Sequence, residues 1–562
     1  MSRHERRRLP IAAVLLGVVA GCSPAAAGQG SAPPPLAPAT ATDGTTVMAA
    51  ISPIVATSPS PLPPQVPDPA LTAPARVDFV VEHEATVSLV PKSVEDRAWE
   101  PVVATHRTDP KRIAVVYEHR GPGAACSLNP TIRISHDGGL TWRSTIASPS
   151  AGSGRGVGLH AAIAWGPGPS GTDRLYWANM TTARCGDGRF SLSTTYSDDE
   201  GATWSKLRVE QGTPPWVGGF PDIAVDRDPA SPNFGTVYVG YNWLAAGADG
   251  PGFHLLASAD FGTTWTATEI APAPGPRGYD DWWRIGYRLR PAVDGAVYAS
   301  WYQVDLRRWD RNNIFAKGGS GNVGRLGVAV SRIEFDPAAK TFEVGLSRAA
   351  VTVPETPYTT SGASAPGTSG NVRPDPVWLH GFDVDPATGQ LYVAVAAYGA
   401  ATDGGPRGSI RVGRSDDGGE TWSVVNLPAA SDDEGHPRSS IRPNLVAGPG
   451  YVLVTIRTLD DTGSAATIGS AFTFSTDGGT TWQAPTAISG ERWPASNLGG
   501  VVNGTGLRER AEQLADGSVF WAYGDGRYAS GSKAGRVAIV GTLIRLESHP
   551  IAGTGLDGRH PS

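Results

Sequence analysis

Cysteine and methionine occur only three times each in 562 residues, and lysine is rare beside arginine. So few cysteines exclude a disulfide-built scaffold, and no zinc-ligand spacing or phosphate loop is present. A spaced Ser/His/Asp signature is missing too. The chain lacks a basic surplus, its net charge being -6, which argues against nucleic acid as the main partner. Long apolar runs are also lacking: "LPIAAVLLGVVAG", Leu9 to Gly21, is too short to span a bilayer as a mature helix. What is plentiful is glycine, at 71, and proline, at 48, the composition of a turn-rich all-β chain. Its length exceeds one ordinary core unless that core is built from repeats.

The basic "MSRHERRR" before the apolar stretch reads as an export signal, and "VAGC", Val19 to Cys22, resembles a bacterial lipobox. That resemblance implies cleavage before Cys22, lipidation of its thiol, and a membrane anchor outside the cytoplasm. A plain secretory signal with a chance cysteine would export the chain equally. The expected organisation is a signal at 1–21, a Pro/Ala/Ser-rich tether at 22–75, a folded region at 76–548 and a tail at 549–562. Cys126 and Cys185 remain, and an isolated pair in an exported protein points to a disulfide, the alternative being two free thiols.

One pattern returns five times: "SHDGGLTW", "SDDEGATW", "SADFGTTW", "SDDGGETW" and "STDGGTTW". Its aspartates are Asp137, Asp199, Asp260, Asp417 and Asp477, separated by 62, 61, 157 and 60 residues. Such periods mark repeated supersecondary units. Each copy follows a strand-like run such as "TIRI" or "AFTF", so each is read as a hairpin turn. Glycine supplies positive φ, the carboxylate accepts backbone N–H groups, and the Trp packs between units. Five copies suit a structural staple; a catalytic motif would require five active sites.

These residues match the Asp-box, or bacterial neuraminidase repeat, of sialidases and related β-propellers, over most of residues 98–546. The resemblance implies an all-β propeller. Laying four strands, A to D, around each box gives about seven blades, with six if one unit is an insertion. The 157-residue gap holds a blade without a box. "ARVDFVVEHEATVSLV" is expected to supply the last strand of the last blade and close the ring. Cys126 and Cys185 then fall in B–C loops of blades one and two.

Ligand sites on propellers usually lie over the axis, on the face of the D–A and B–C loops. Aligning strand-A starts on Phe220 places Glu100, Arg288, Leu379, Arg442 and Arg510 at equivalent positions. Arg288, Arg442 and Arg510, with Arg290 and Arg373 nearby, read as an anion clamp, since guanidinium groups bind carboxylates bidentately. The competing reading pairs them with Asp375, Glu509 and Glu512. The resemblance gives the clamp a meaning, because sialidases hold a substrate carboxylate with three arginines and use a Tyr nucleophile. It implies Tyr523 as nucleophile, Glu512 or Glu509 as its base, and Asp281 or Asp280 as acid/base group. Against it, "WEPVVATH" puts Glu100 where the family carries a first-blade Arg. Gln303–Gly324, with Trp309, reads as a lid or a surface insertion. The acidic runs at Asp432–Glu434 and at Asp460 and Asp461 read as solvated turns, without the oxygen spacing of a calcium loop. The expectation is a monomeric, cofactor-free and metal-free exported propeller. It is either a sialidase-like exo-glycosidase for anionic sugars or a non-catalytic scaffold binding glycan or protein; a cell-surface protein with no small ligand is a third reading.

Overall fold

The computed structural model describes residues 76–88, 97–120, 128–143, 146–147, 149, 156–169, 171–182, 190–210, 216–217, 220–244, 252–271, 282–305, 322–323, 326–353, 357–358, 380–398, 408–432, 434–460, 466–498, 508–528 and 537–549. The signal, tether and tail, Cys22, Cys126, Cys185, Asp280, Asp281, Trp309, Arg373 and Asp375 lie outside them.

Seven antiparallel sheets form the blades, each with a four-strand path. The innermost strands, A, are Arg97–Thr105, Gly156–Pro167, Asp222–Val225, Trp282–Pro291, Gly381–Val384, Pro437–Gly448 and Arg510–Gln513. Each touches the next, and the seventh touches the first, so they enclose an axis. Blade 4, inside the long gap between boxes, turns from Leu326–Asp336 to Thr341–Val344 without the motif. Blade 7 is closed from the other end of the chain: Arg76–Thr86 pairs with Ala538–His549 as its outer strand, as the sequence predicts. The six-blade alternative is thereby excluded.

Between adjacent blades lie seven apolar clusters. Alternation along the strands feeds two neighbouring clusters from every blade. Trp142, Trp204, Trp265, Trp422 and Trp482 each pack into the cluster between their own blade and the preceding one. The turns that carry them share one bonding scheme. Ser Oγ donates to Asp Oδ1 at 2.7–2.8 Å, and the fifth-position Gly N–H donates to the same Ser Oγ at 2.7–2.8 Å. The Thr amide and hydroxyl then donate to the two carboxylate oxygens. That glycine is left-handed in all five, with φ from 83° to 97°. The staple reading of the motif holds in every copy.

Candidate functional site

At the end of the axis where the inner strands begin, the backbone departs from ideal pairing. Register shifts interrupt strand A of blades 1, 2, 4 and 6, between Trp99 and Val102, Leu159 and Ala162, Ile285 and Arg288, and Ile441 and Asn444. Inside these bulges Glu100, His160, Gly286 and Arg442 have φ of 54°, 51°, 72° and 53°, and Phe220 of blade 3 has 49°. Glycine would occupy such positions at least cost, yet only one of the five blades uses it. Non-glycine residues held there cost about 1–3 kcal/mol each and concentrate at functional sites. Phe220, Glu100 and Arg442 are equivalent, as expected from sequence. Arg288 and Arg510 are not: the bulge and the ladder put Gly286 and Arg508 at that level, two residues earlier.

The displaced arginines sit one step deeper. Arg510 pairs with Asp222 across the axis at 2.5 Å and with Glu512 at 2.5 Å. Arg290 pairs with Glu512 at 3.1 Å and Asp383 at 2.7 Å. An alternating chain results, Asp222–Arg510–Glu512–Arg290–Asp383. Asp222 and Asp383 also accept the amides of Leu289 and Ala447 from the next blade, at 2.9 and 3.0 Å. Burial opposes the charge on Asp222, but Arg510, Arg288 and Arg508 outweigh it and hold the carboxyl near 2. Burial likewise works against the Glu512 charge, and Arg290, Arg510 and Arg227 pull its pKa down. The pairing of arginines with acidic neighbours is therefore realised for Arg290 and Arg510, which brace the ring. Below them, toward the A–B turns, Arg227, Arg290, Arg510, Asp383 and Glu512 help line a cavity of about 280 Å³.

Arg288 and Arg508 are different. Both are buried, and neither forms an ion pair among the described residues. Arg508 donates to the carbonyls of His160 at 2.9 Å, Ala161 at 3.3 Å and Pro221, and Arg288 to that of Glu509 at 3.5 Å. Burial, followed by the Arg510 cation, pushes Arg288 down to about 9. Buried polar atoms without hydrogen-bond partners include Glu118 Oε2, in the field of Arg508, His380 Nδ1, in that of Arg288, and Asn444 Nδ2 on the inner strand of blade 6. The Glu509 carboxyl oxygens also meet no donor in good geometry. Burial raises the pKa of Glu509 although Arg457 lies 3.6 Å away. His380 is bonded to Ser300 through Nε2 at 2.7 Å, and burial lowers its pKa well below the ordinary value. Glu100 and His160 pair at 2.6 Å, and the imidazole lies against Phe220, tilted by 32° with centroids 4.1 Å apart.

Tyr523 does not meet Glu512 or Glu509. It is fully buried, and its hydroxyl donates to Glu84 of the closing strand at 2.5 Å and lies 3.2 Å from Thr542 Oγ1. Arg457 covers its ring at 4.7 Å. Burial, then the Glu84 charge, raises its pKa well above 10, the reverse of an activated nucleophile. Glu512, locked between Arg290 and Arg510, has no freedom to act as its base. Asp432 accepts the amides of Glu434 and His436 in a local turn, as a solvated loop would. Sequence reasoning missed Arg508, Asp222, Glu118 and His380; the only signal for Arg508 was its i-2 spacing from Arg510 in "RER".

No protein-family model matches the chain, and no curated protein sequence does. Among solved structures, an α-L-arabinanase of Penicillium chrysogenum complexed with arabinobiose is similar at 14% identity and TM-score 0.36, over 68% of this chain and 92% of its own. The phage phi92 endosialidase is similar at 12% and 0.40, over 85% and 71%. The NanB sialidase of Streptococcus pneumoniae is similar at 10% and 0.37, over 66% and 67%. At these identities and TM-scores the likenesses carry no argument about this chain's chemistry, and its fold rests on its own sheets.

Proposed function

We propose that this is a glycan-recognition propeller that receives a carboxylate-bearing sugar at the mouth of its axis, with Arg288, Arg442 and Arg508 supplying the positive field. The observation that carries this reading is the pair of buried guanidinium groups, Arg288 and Arg508, which among the described residues donate hydrogen bonds to main-chain carbonyls only. Asp222 is a counter-charge to both, but it is ion-paired with Arg510, and burial still depresses the pKa of Arg288 and Arg508; a bound anion lowers the cost of burying them. The partnerless polar atoms of Glu118 and His380 give a sugar ring further donors and acceptors to engage.

Recognition without hydrolysis is favoured by one specific arrangement. The Tyr523 phenol is buried, bonded to Glu84 and hard to ionise, so it is poorly suited to attack a sugar. The sialidase-like exo-glycosidase reading therefore needs groups other than Tyr523 and Glu512. A fluorogenic sialoside and a panel of anionic and neutral glycosides, with a glycan array alongside, separate the two readings. Retention of acidic glycans without turnover, lost in Arg442→Ala, supports recognition. Turnover on any member of the panel replaces it with the enzymatic reading, and preference for neutral glycans removes the carboxylate. Export and an anchor at Cys22 belong to the same proposal, and incorporation of a palmitate analogue, lost in Cys22→Ser, checks them.

A further inference from the structure

We propose that Glu118 is a ligand-contacting, specificity-determining residue of the axial mouth, its second carboxyl oxygen donating a hydrogen bond to an oxygen of the bound sugar acid. This rests on the carboxylate-binding reading and deepens it, since it assigns a neutral donor beside the cations.

Glu118 lies on the second strand of blade 1, Ile113–Arg120, and is 2% exposed. Its Oε1 accepts the Ala161 amide at 3.3 Å, while Oε2 has no partner. The charged groups acting on it are Glu100 of blade 1 and Arg508 of blade 7, and besides Ala161 the His160 amide of blade 2 also donates toward its carboxyl. Glu100 is already engaged by His160 at 2.6 Å, and Arg508 by carbonyls, so neither takes up Oε2. Burial, then the Glu100 charge, pushes the Glu118 carboxyl up to about 8. At neutral pH it is a carboxylic acid and carries a hydroxyl to donate. The two residues beside it in space, Glu100 and His160, hold the left-handed backbone of the mouth, so the carboxyl belongs to the same strained rim.

A donor of this kind selects ligands with an acceptor oxygen at that place and loses them once it ionises. Titration calorimetry of the folded protein with N-acetylneuraminic acid and with D-glucuronic acid, from pH 6 to 8.5, reads this directly. The affinity of whichever acid binds is expected to be flat to about pH 7.5 and then to fall, approaching tenfold per unit above about 8. Glu118→Gln, whose amide also donates, is expected to bind several-fold more weakly at pH 6 and to show no decline. Glu118→Leu is expected to lose at least about tenfold at pH 6. Any loss from the Arg288 guanidinium lies higher, is shared by all variants and cancels in the comparison. A second readout needs no ligand. The folded pKa is raised from 4.5 to about 8, so the contribution of Glu118 to stability is complete below 4.5 and is lost as pH climbs to about 8. The melting temperature of Glu118→Gln is expected to lose that slope. Binding with the same pH profile in wild type and Glu118→Gln overturns the assignment of Glu118 alone. Failure of both acids to bind at any pH overturns the carboxylate-binding reading, and this assignment with it.

Discussion

The two ends of the propeller axis are built on opposite economies. On the face of the S-x-D-x-G-x-T-W turns, every Ser, Asp and Thr of the motif is bonded to another part of the same turn. At the mouth, four non-glycine residues stand in left-handed backbone inside or beside the inner strands, where the turn face has three, Glu200, Phe261 and Lys340, in hairpin turns; polar atoms of Glu118, His380 and Asn444 go unpartnered at the mouth. One face repeats a single bonding scheme, with the Nε1 atoms of Trp142, Trp204 and Trp265 left unpartnered in its turns; the other differs in every blade. A repeat reveals what the fold needs five times over, and its violations reveal what the molecule needs once.

Breaking this comparison calls first for a residue that braces the mouth rather than serves it. Asp222→Ala strands Arg510 without one of its two carboxylate partners and leaves the Leu289 amide open, and it is expected to cost about 3–5 kcal/mol in urea denaturation. A loss under 1 kcal/mol would mean that the axial chain of charges is not structural. On the turn face, Asp417→Ala removes the acceptor of Ser415 and of the Thr421 amide and hydroxyl, with an expected cost of about 1–2 kcal/mol by the same measurement. Arg442→Gly is the sharpening case. Relief of a left-handed arginine offsets its lost packing, so stability is expected within about 1 kcal/mol of wild type while acidic-glycan retention disappears. A large loss of stability there would make Arg442 a staple like the turns. The smallest effect is at the acid end of the pH scale. Burial works slightly against the Asp137 charge, but bonds from Thr141 and Ser135 hold its carboxyl down from 3.8 to about 2. Its contribution is present above 3.8 and is lost as pH falls through 2; Asp137→Asn is expected to flatten the melting curve over that window.

The turn face was open to reading from residues alone because its chemistry is local: eight consecutive residues close their own hydrogen bonds. Blade number and ring closure followed, since strand order obeys the period. The mouth was legible only in part. Phe220, Glu100 and Arg442 align by counting from the strand, but bulges insert residues that sequence spacing does not show, so Arg288 and Arg510 were placed one level too high. Tyr523 is expected beside Glu512 or Glu509 and meets neither; its partner Glu84 arrives from the far end of the chain, beyond what local pattern can report. Glu118 looked like one more polar residue in "VVYEHR"; only the neighbouring blade's Ala161 amide and the Glu100–His160 pair give it meaning.

The closing strand has a consequence for how the molecule comes into being. Glu84 and Tyr523, hydrogen-bonded in the finished ring, are 439 residues apart in the chain. The first strand to be synthesised therefore waits, unpaired, until nearly the last has been made. Six blades can condense in order as the chain emerges, but the seventh is a rendezvous of both ends, and closure is expected to be the slow event in folding. Until it happens, one sheet edge stands open at each end of the arc, the state in which such a chain is most exposed to proteases and to its own copies.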